Sequence, residues 1–173
     1  YHLPEFWLLG GEGMAKQPRK SALSIALSFL NEKESYDVAK KLGFFDDEIC
    51  ILFDAFAKKT NCVKSTSMGR LFDAVAALCG IVKEDCYEGE SGLMIESFYD
   101  VSIEDSFDGL SDIGSILREV VNTKNQSIVA SKFINTLTDY VKELSKKHQL
   151  PIFCSGGVFQ NATLVARIRA KLG

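Results

Sequence analysis

The residues best suited to hold a ligand come late in the chain, in Ser155-Gly156-Gly157-Val158-Phe159-Gln160-Asn161. They follow the short apolar run Pro151-Ile152-Phe153-Cys154, so two glycines stand where a strand would hand over to a helix. Glycine lets backbone approach a ligand closely, and free N–H groups at a helix N-terminus favour an anion such as a phosphate. Asn161 is placed to cap that helix, or to orient a ribose or base. The third glycine of G-x-G-x-x-G and the lysine of the P-loop are both missing, so a structural tight turn and a phosphate cradle stay equally open. A second cluster is Ser67-Met68-Gly69-Arg70-Leu71-Phe72-Asp73. Taken alone, it describes an exposed helical carboxylate, Asp73, paired with Arg70 three residues earlier. A third, Tyr87-Glu88-Gly89-Glu90, is by itself a turn with two carboxylates, and nothing marks them as a general acid/base pair.

Helices must position these clusters. The entry, Tyr1 to Lys16, carries Gly10, Gly11 and Gly13 and has no helical period; its run Phe6-Trp7-Leu8-Leu9 suits a strand or a packing surface. Gln17-Pro18 opens a helix with the stripe Leu23, Ala26, Leu27 and Leu30, and with Ser21, Ser24 and Ser28 on its other face. Helical spacing continues over 34–42, from Asp46-Asp47-Glu48 to Lys58-Lys59, from Met68 to Gly80, near 91–98, near 113–121 and, longest, over 127–147. Residues 60–66 read as a loop. The acidic stretch 100–112 reads as a solvated linker or hinge. Residues 152–154 read as a short buried strand, and a last helix runs from near Asn161 to Leu172. A lone strand cannot satisfy its own backbone groups, so the chain reads as part of a sheet-containing domain whose other strands lie elsewhere.

The chain has 173 residues, 46% apolar and 25% charged, with a net charge of −3. This is the composition of a globular protein, and excludes disorder, collagen-like repeats and a coiled-coil rod. The charge balance gives no broad electrostatic footprint for nucleic acid. No apolar run reaches the roughly 18 residues of a membrane span. Five cysteines, an odd number without C-x-x-C, point to buried thiols in a reducing, cytoplasmic compartment. With only His2 and His148, a histidine-based metal site within the chain is not expected.

Taken in order, the three clusters change weight. Ser67 to Leu78, Tyr87 to Glu90 and Ser155 to Asn161, with Leu8-Leu9-Gly10-Gly11-Glu12 and Gln17-Pro18, closely resemble the HypF-type carbamoyltransferases. These are maturation factors of nickel–iron hydrogenases. The resemblance runs from about residue 3 to residue 172. It implies a fragment, 1–173, of a C-terminal domain related to the tRNA threonylcarbamoyladenosine synthases. The fold implied is mainly α with few short β-strands, part of an actin-like, sugar-kinase-like (ASKHA) α/β domain. The implied reaction uses carbamoyl phosphate and ATP, via carbamoyladenylate, to carbamoylate the C-terminal cysteine of a partner, HypE.

The same resemblance assigns residues. Gly69-Arg70-Leu71-Phe72-Asp73 matches the relatives' Gly-x-x-Phe-Asp, which makes Asp73 the ligand of a nucleotide ribose. Tyr87-Glu88-Gly89-Glu90 matches Tyr-Pro-Gly-Gly, so Gly89 carries over and Glu90 replaces a glycine beside ribose or adenine. Gly156 and Gly157 would approach the nucleotide, and Asn161 would contact adenosine. The family's metal is held by an H-x-x-x-H pair and a later Asp that have no match here, and Phe133-Ile134 stands where Phe-His is common. The zinc-binding segment and the carbamoyladenylate-forming domain have no match either. The chain alone is therefore expected to be inactive and to form one side of a nucleotide cleft, with a homodimer conceivable through its exposed apolar surface. Two alternatives stand beside this: a tRNA threonylcarbamoyladenosine synthase relative, and a non-catalytic helical interaction module. The module predicts that Asp73, Gly89, Gly156 and Asn161 do not converge.

Overall fold

The structure, a computed structural model, describes residues 2–10 and 16–172; Gly11, Glu12 and Gly13 lie outside them. Strand β1 (Phe6–Leu9) pairs antiparallel with β2 (Cys62–Ser65), with Phe6 opposite Ser65 and Leu9 opposite Cys62. The residues expected to form a loop at 60–66 thus hold a strand. Cys62–Ser65 is half exposed and carries no burial pattern, so its pairing comes from the open edge of β1 rather than from its own side chains.

Helix α1 (Pro18–Phe29) covers the other edge of β1. The backbone N–H of Leu9 donates to Ser24 Oγ at 3.0 Å, and that of Trp7 to Ser28 Oγ at 3.2 Å. Each hydroxyl donates in turn to a carbonyl one helical turn back. The serine face of α1 therefore does for β1 what a third strand would do, and this is how so small a sheet satisfies its backbone.

The remaining helices start where caps place them. Asn31 and Glu34 form a capping box at α2 (Glu32–Lys41). Glu48 accepts from the N–H of Phe45 at the start of α3 (Asp46–Ala57). Ser67 caps α4 (Met68–Leu78), and a left-handed Gly89 precedes α5 (Glu90–Ser97). Asp112 caps α6 (Ile113–Asn122), and Asn125 caps α7 (Gln126–His148). A 3-10 turn, Gly157–Gln160, leads into α8 (Ala162–Leu172). The principal core lies between α1, α4, α5, α6, α7 and α8. Phe72 and Phe133 meet edge to face at 4.9 Å within it, with Ile95, Leu117 and Leu164 buried around them.

Buried polar groups on α7 hold the acidic stretch 100–112. Ser131 accepts from the N–H of Asp100, and Thr136 from that of Phe107, both at 2.8 Å. Asn135 donates to the carbonyls of Ile103 and Asp105. Phe107 and Leu110 are buried there, while Glu104, Asp105, Asp108 and Asp112 face solvent.

Two expectations are corrected. Ile152–Cys154 is neither paired nor buried: it runs outside any strand, with Phe153 92% exposed. Among the described residues no sheet edge reaches it, so its backbone stays solvated. The cysteines are also not core thiols. Cys50, Cys86 and Cys154 are exposed, and Cys62 and Cys79 are partly buried. The three exposed ones fall on the outer face of α3, in the turn before α5 and in the unpaired segment, whereas Cys62 lies on β2 and Cys79 packs against the core at the end of α4. No helix among the described residues is long and apolar enough to cross a membrane.

The aromatic pair sets the expected hierarchy of stability. Phe133→Ala should cost about 3–5 kcal/mol in urea unfolding, whereas Val101→Ala, at a site 71% exposed, should stay within about 0.5 kcal/mol. Equal midpoints for the two variants would mean that α7 does not anchor the core.

Candidate functional site

Three helix starts meet at one place. The first two turns of α4 bring Gly69, Arg70 and Asp73. The left-handed Gly89, at φ +86°, turns the chain into α5 and sets Gly92 one turn further along. Gly156, at φ +101°, reverses the chain into the 3-10 turn that carries Gly157 and ends at Asn161. Asn161 then locks two elements together. Its Oδ1 accepts from the N–H of Leu164 at 2.8 Å, capping α8, and its Nδ2 donates to the carbonyl of Gly92 at 3.3 Å. Glu96 of α5 adds a second tie by accepting from the N–H of Thr163.

Between these starts opens a cleft of about 520 Å³, lined by Arg70, Asp73, Gly89, Gly92, Gly157 and Asn161 among others. Of the six residues singled out from sequence, Asp73, Gly89, Gly157 and Asn161 face this cleft. Gly156 and Glu90 do not. Gly156 supplies the turn that aims Gly157, and the Glu90 carboxylate folds back to accept from the N–H of Cys86. Three of the four residues whose scatter the interaction-module alternative requires therefore converge. Arg70, Gly92 and Val158 were not singled out. Gly92 follows Gly89 by three residues, a spacing that puts both at the same end of α5 and could have been read from the sequence.

Asp73 is not the exposed carboxylate that its helical context suggests. It pairs with Arg70 as expected, Nη1 to Oδ2 at 2.8 Å, but only 4% of it is exposed. The guanidinium approaches as an ion pair without hydrogen-bond alignment, and Arg70 Nη1 is buried with no hydrogen-bond partner. Ser21 of α1 donates to Oδ2 at 3.5 Å. Burial pushes the Asp73 carboxyl up to about 6; the Arg70 charge opposes this, and the nearby Asp85 charge adds to it. Asp85 is itself shifted up, chiefly by burial, against a hydrogen bond from Ser91.

This arrangement suits a neutral-to-anionic ligand with vicinal hydroxyls. A buried carboxylate can accept from both hydroxyls of a diol. A carbon added at Gly89 or Gly157 would meet nothing within 4 Å, so both walls leave room for a ring or a phosphate to approach backbone. Among the described residues, no three His, Cys, Asp or Glu side chains group as metal ligands.

The whole of residues 1–173 matches the family model described as the carbamoyltransferase Kae1-like domain, second subdomain. The chain belongs to this family. It is 32% identical to a probable carbamoyltransferase HypF of Methanocaldococcus jannaschii over 96% of the chain and 24% of that protein. It is 25% identical to the carbamoyltransferase HypF of Synechocystis over 95% of the chain and 25% of that protein. The chain thus spans about a quarter of the length of the curated relatives it matches. Among solved structures, full-length HypF in its phosphate- and nucleotide-bound form superposes with a TM-score of 0.84 at 27% identity, covering 99% of this chain and 29% of that one. HypF of T. kodakarensis shares the fold, with a TM-score of 0.77 at 20% identity over 99% of this chain and 25% of that one. The expected HypF-type resemblance and the mainly α, partial ASKHA-like fold both stand.

The raised Asp73 carboxyl has a definite sign in stability. Its pKa lies above the ordinary 3.8, so ionisation opposes folding. The penalty is absent below 3.8, grows between 3.8 and about 6, and is complete above that. Relative to Asp73→Asn, the wild-type chain should therefore lose up to about 3 kcal/mol between pH 3.5 and pH 7, by urea unfolding. A difference that does not change with pH, or that grows in the opposite sense, would contradict the burial of an ionisable Asp73.

Proposed function

We propose that this chain is one part of a longer HypF-type carbamoyltransferase acting in nickel–iron hydrogenase maturation, and that its cleft holds the nucleoside end of ATP or carbamoyladenylate. In this reading the longer enzyme consumes carbamoyl phosphate and ATP, and passes the carbamoyl group to the C-terminal cysteine of HypE. The observation that carries it is the convergence of Asp73, Gly89, Gly157 and Asn161 on one cleft from three separate helix starts. Family membership narrows the chemistry to carbamoyl transfer.

Each lining residue then has a task. Asp73 accepts from the ribose hydroxyls, and its burial makes those bonds stronger than they would be in water. Gly89 and Gly157 bring backbone close to the nucleotide, as glycine alone permits. Asn161 holds α5 and α8 at fixed separation, which keeps the slot open before ligand arrives. Among the described residues, Arg70 is the one cation on the wall, next to where an acidic ligand would enter. Metal ligands, the zinc-binding segment and the adenylate-forming machinery belong to other parts of the longer enzyme, and a reducing cytoplasm suits its five free thiols.

Calorimetry with ADP on the full-length protein carrying this chain tests the reading. Hydrogen bonds to a charged group are worth about 1.5–3 kcal/mol, so Asp73→Ala should weaken ADP about 10- to 100-fold. Affinity unchanged by Asp73→Ala would place the nucleoside somewhere else.

A further inference from the structure

Gln160 ends the 3-10 turn and falls inside the 155–161 motif, yet the motif gives it no task. It is exposed and lines the same cleft as Asp73. Most other polar side chains of that cleft are engaged within the fold. Ser67 caps α4 by accepting from the N–H of Arg70. Arg70 and Asp73 are paired with each other. Asn161 donates to the Gly92 carbonyl and accepts from the N–H of Leu164, so turning its amide toward a ligand would break both ties. Among the described residues of the lining, the Glu88 carboxylate and the Gln160 amide are left without a hydrogen bond inside the protein.

These two groups differ in what they can recognise. An ionised carboxylate only accepts hydrogen bonds, whereas an amide presents a donor and an acceptor side by side. Their surroundings differ too. Gln160 directly precedes Asn161, and Leu93 directly follows Gly92. The 3.3 Å bond between Asn161 Nδ2 and the Gly92 carbonyl therefore brings Gln160 and Leu93 to the same part of the cleft. Leu93 is 50% exposed, and Val158, two residues before Gln160, lines the cleft as well. An open leucine and a valine beside an uncommitted amide make a place for a flat, apolar ring with polar atoms on its edge. The start of α4, with Arg70, Asp73 and the Ser67 cap, makes the opposite kind of place, polar and charged.

We propose that Gln160 is the specificity-determining residue for the base: its amide pairs with the edge of an adenine that lies against Leu93 and Val158, while Asp73 holds the ribose. This rests on the nucleotide reading above. Adenine carries its 6-amino donor next to a ring-nitrogen acceptor. A glutamine amide answers both, its carbonyl accepting from the amino group and its N–H donating to the ring nitrogen. Asn161 then serves the base indirectly, by holding Gln160 at the Gly92 end of α5.

Calorimetry on the full-length protein carrying this chain tests the pairing, with three ligands: ADP, the diphosphate of purine riboside, which lacks the 6-amino group, and 2′-deoxy-ADP. The wild type should prefer ADP to the purine analogue about tenfold. Gln160→Ala should bind ADP about tenfold more weakly and bind the two alike, because the amino group has lost its partner. Its preference for ADP over 2′-deoxy-ADP should be unchanged, whereas Asp73→Ala should abolish that preference. Gln160 is exposed, so Gln160→Ala should keep the wild-type urea midpoint, and its weaker binding would then not be a loss of folding. A Gln160→Ala protein that still prefers ADP to the purine analogue as strongly as the wild type overturns the proposal. So does a wild type with no such preference. If Asp73→Ala still abolishes the 2′-hydroxyl preference in either case, the nucleotide reading survives without the base contact. If both preferences persist in both variants, the nucleotide reading falls and the proposal falls with it.

Discussion

A single carboxylate placed at the seam of α1, α4 and α5 constrains much of this molecule. Asp73 is excluded from water, and a charge in such a place must be paired or protonated. Arg70 answers that requirement from the same helix and Ser21 from α1. The pairing only works if α1 and α4 lie close, and small residues, Ala22, Ala26 and Ala74, are fully buried on these two helices. The stability cost of holding Asp73 at the floor of a cleft falls on the fold, and a core of aromatic and branched residues around Phe72 and Phe133 offsets it.

Two scaffolds carry that seam. On one side α1 doubles as an edge partner for β1 through Ser24 and Ser28, which fixes α1 to the two-stranded sheet. On the other, α7 organises the C-terminal half. Its buried Ser131, Asn135 and Thr136 bind the backbone of 100–112, and its length gives α8 a surface to pack on. Asn161 joins the two sides by capping α8 while holding the carbonyl of Gly92. The wall made by Gly89 and Gly92 and the wall made by Gly157 are therefore set at a defined distance without any ligand.

Much of this was legible from residue order. Apolar spacing located every described α-helix to within a few residues, because amphipathic periods persist over eight or more positions. The motifs at 67–73, 87–90 and 155–161 coincide with three helix starts that line one cleft. What could not be read depended on partners distant in sequence. β2 has no burial pattern of its own, so nothing local distinguishes Cys62–Ser65 from a loop. Ile152–Cys154 has the opposite problem: its residues favour a strand, but no edge is there to receive it. Asp73 looked exposed because its neighbours on α4 say nothing of Ser21, 52 residues earlier. Gly156 and Glu90 fall within two of these motifs, yet one shapes a turn and the other accepts from the N–H of Cys86. Asp85 lies outside every motif, and only the fold shows it beside Ser91.

The most direct test of the account is hydrogen exchange of the full-length protein carrying this chain, followed by mass spectrometry with and without saturating ADP. The account predicts added protection confined, within this chain, to peptides covering 67–73, 87–93 and 156–164, and loss of that protection in Asp73→Ala. Protection elsewhere in the chain with these three segments unchanged, while ADP is bound, would contradict it.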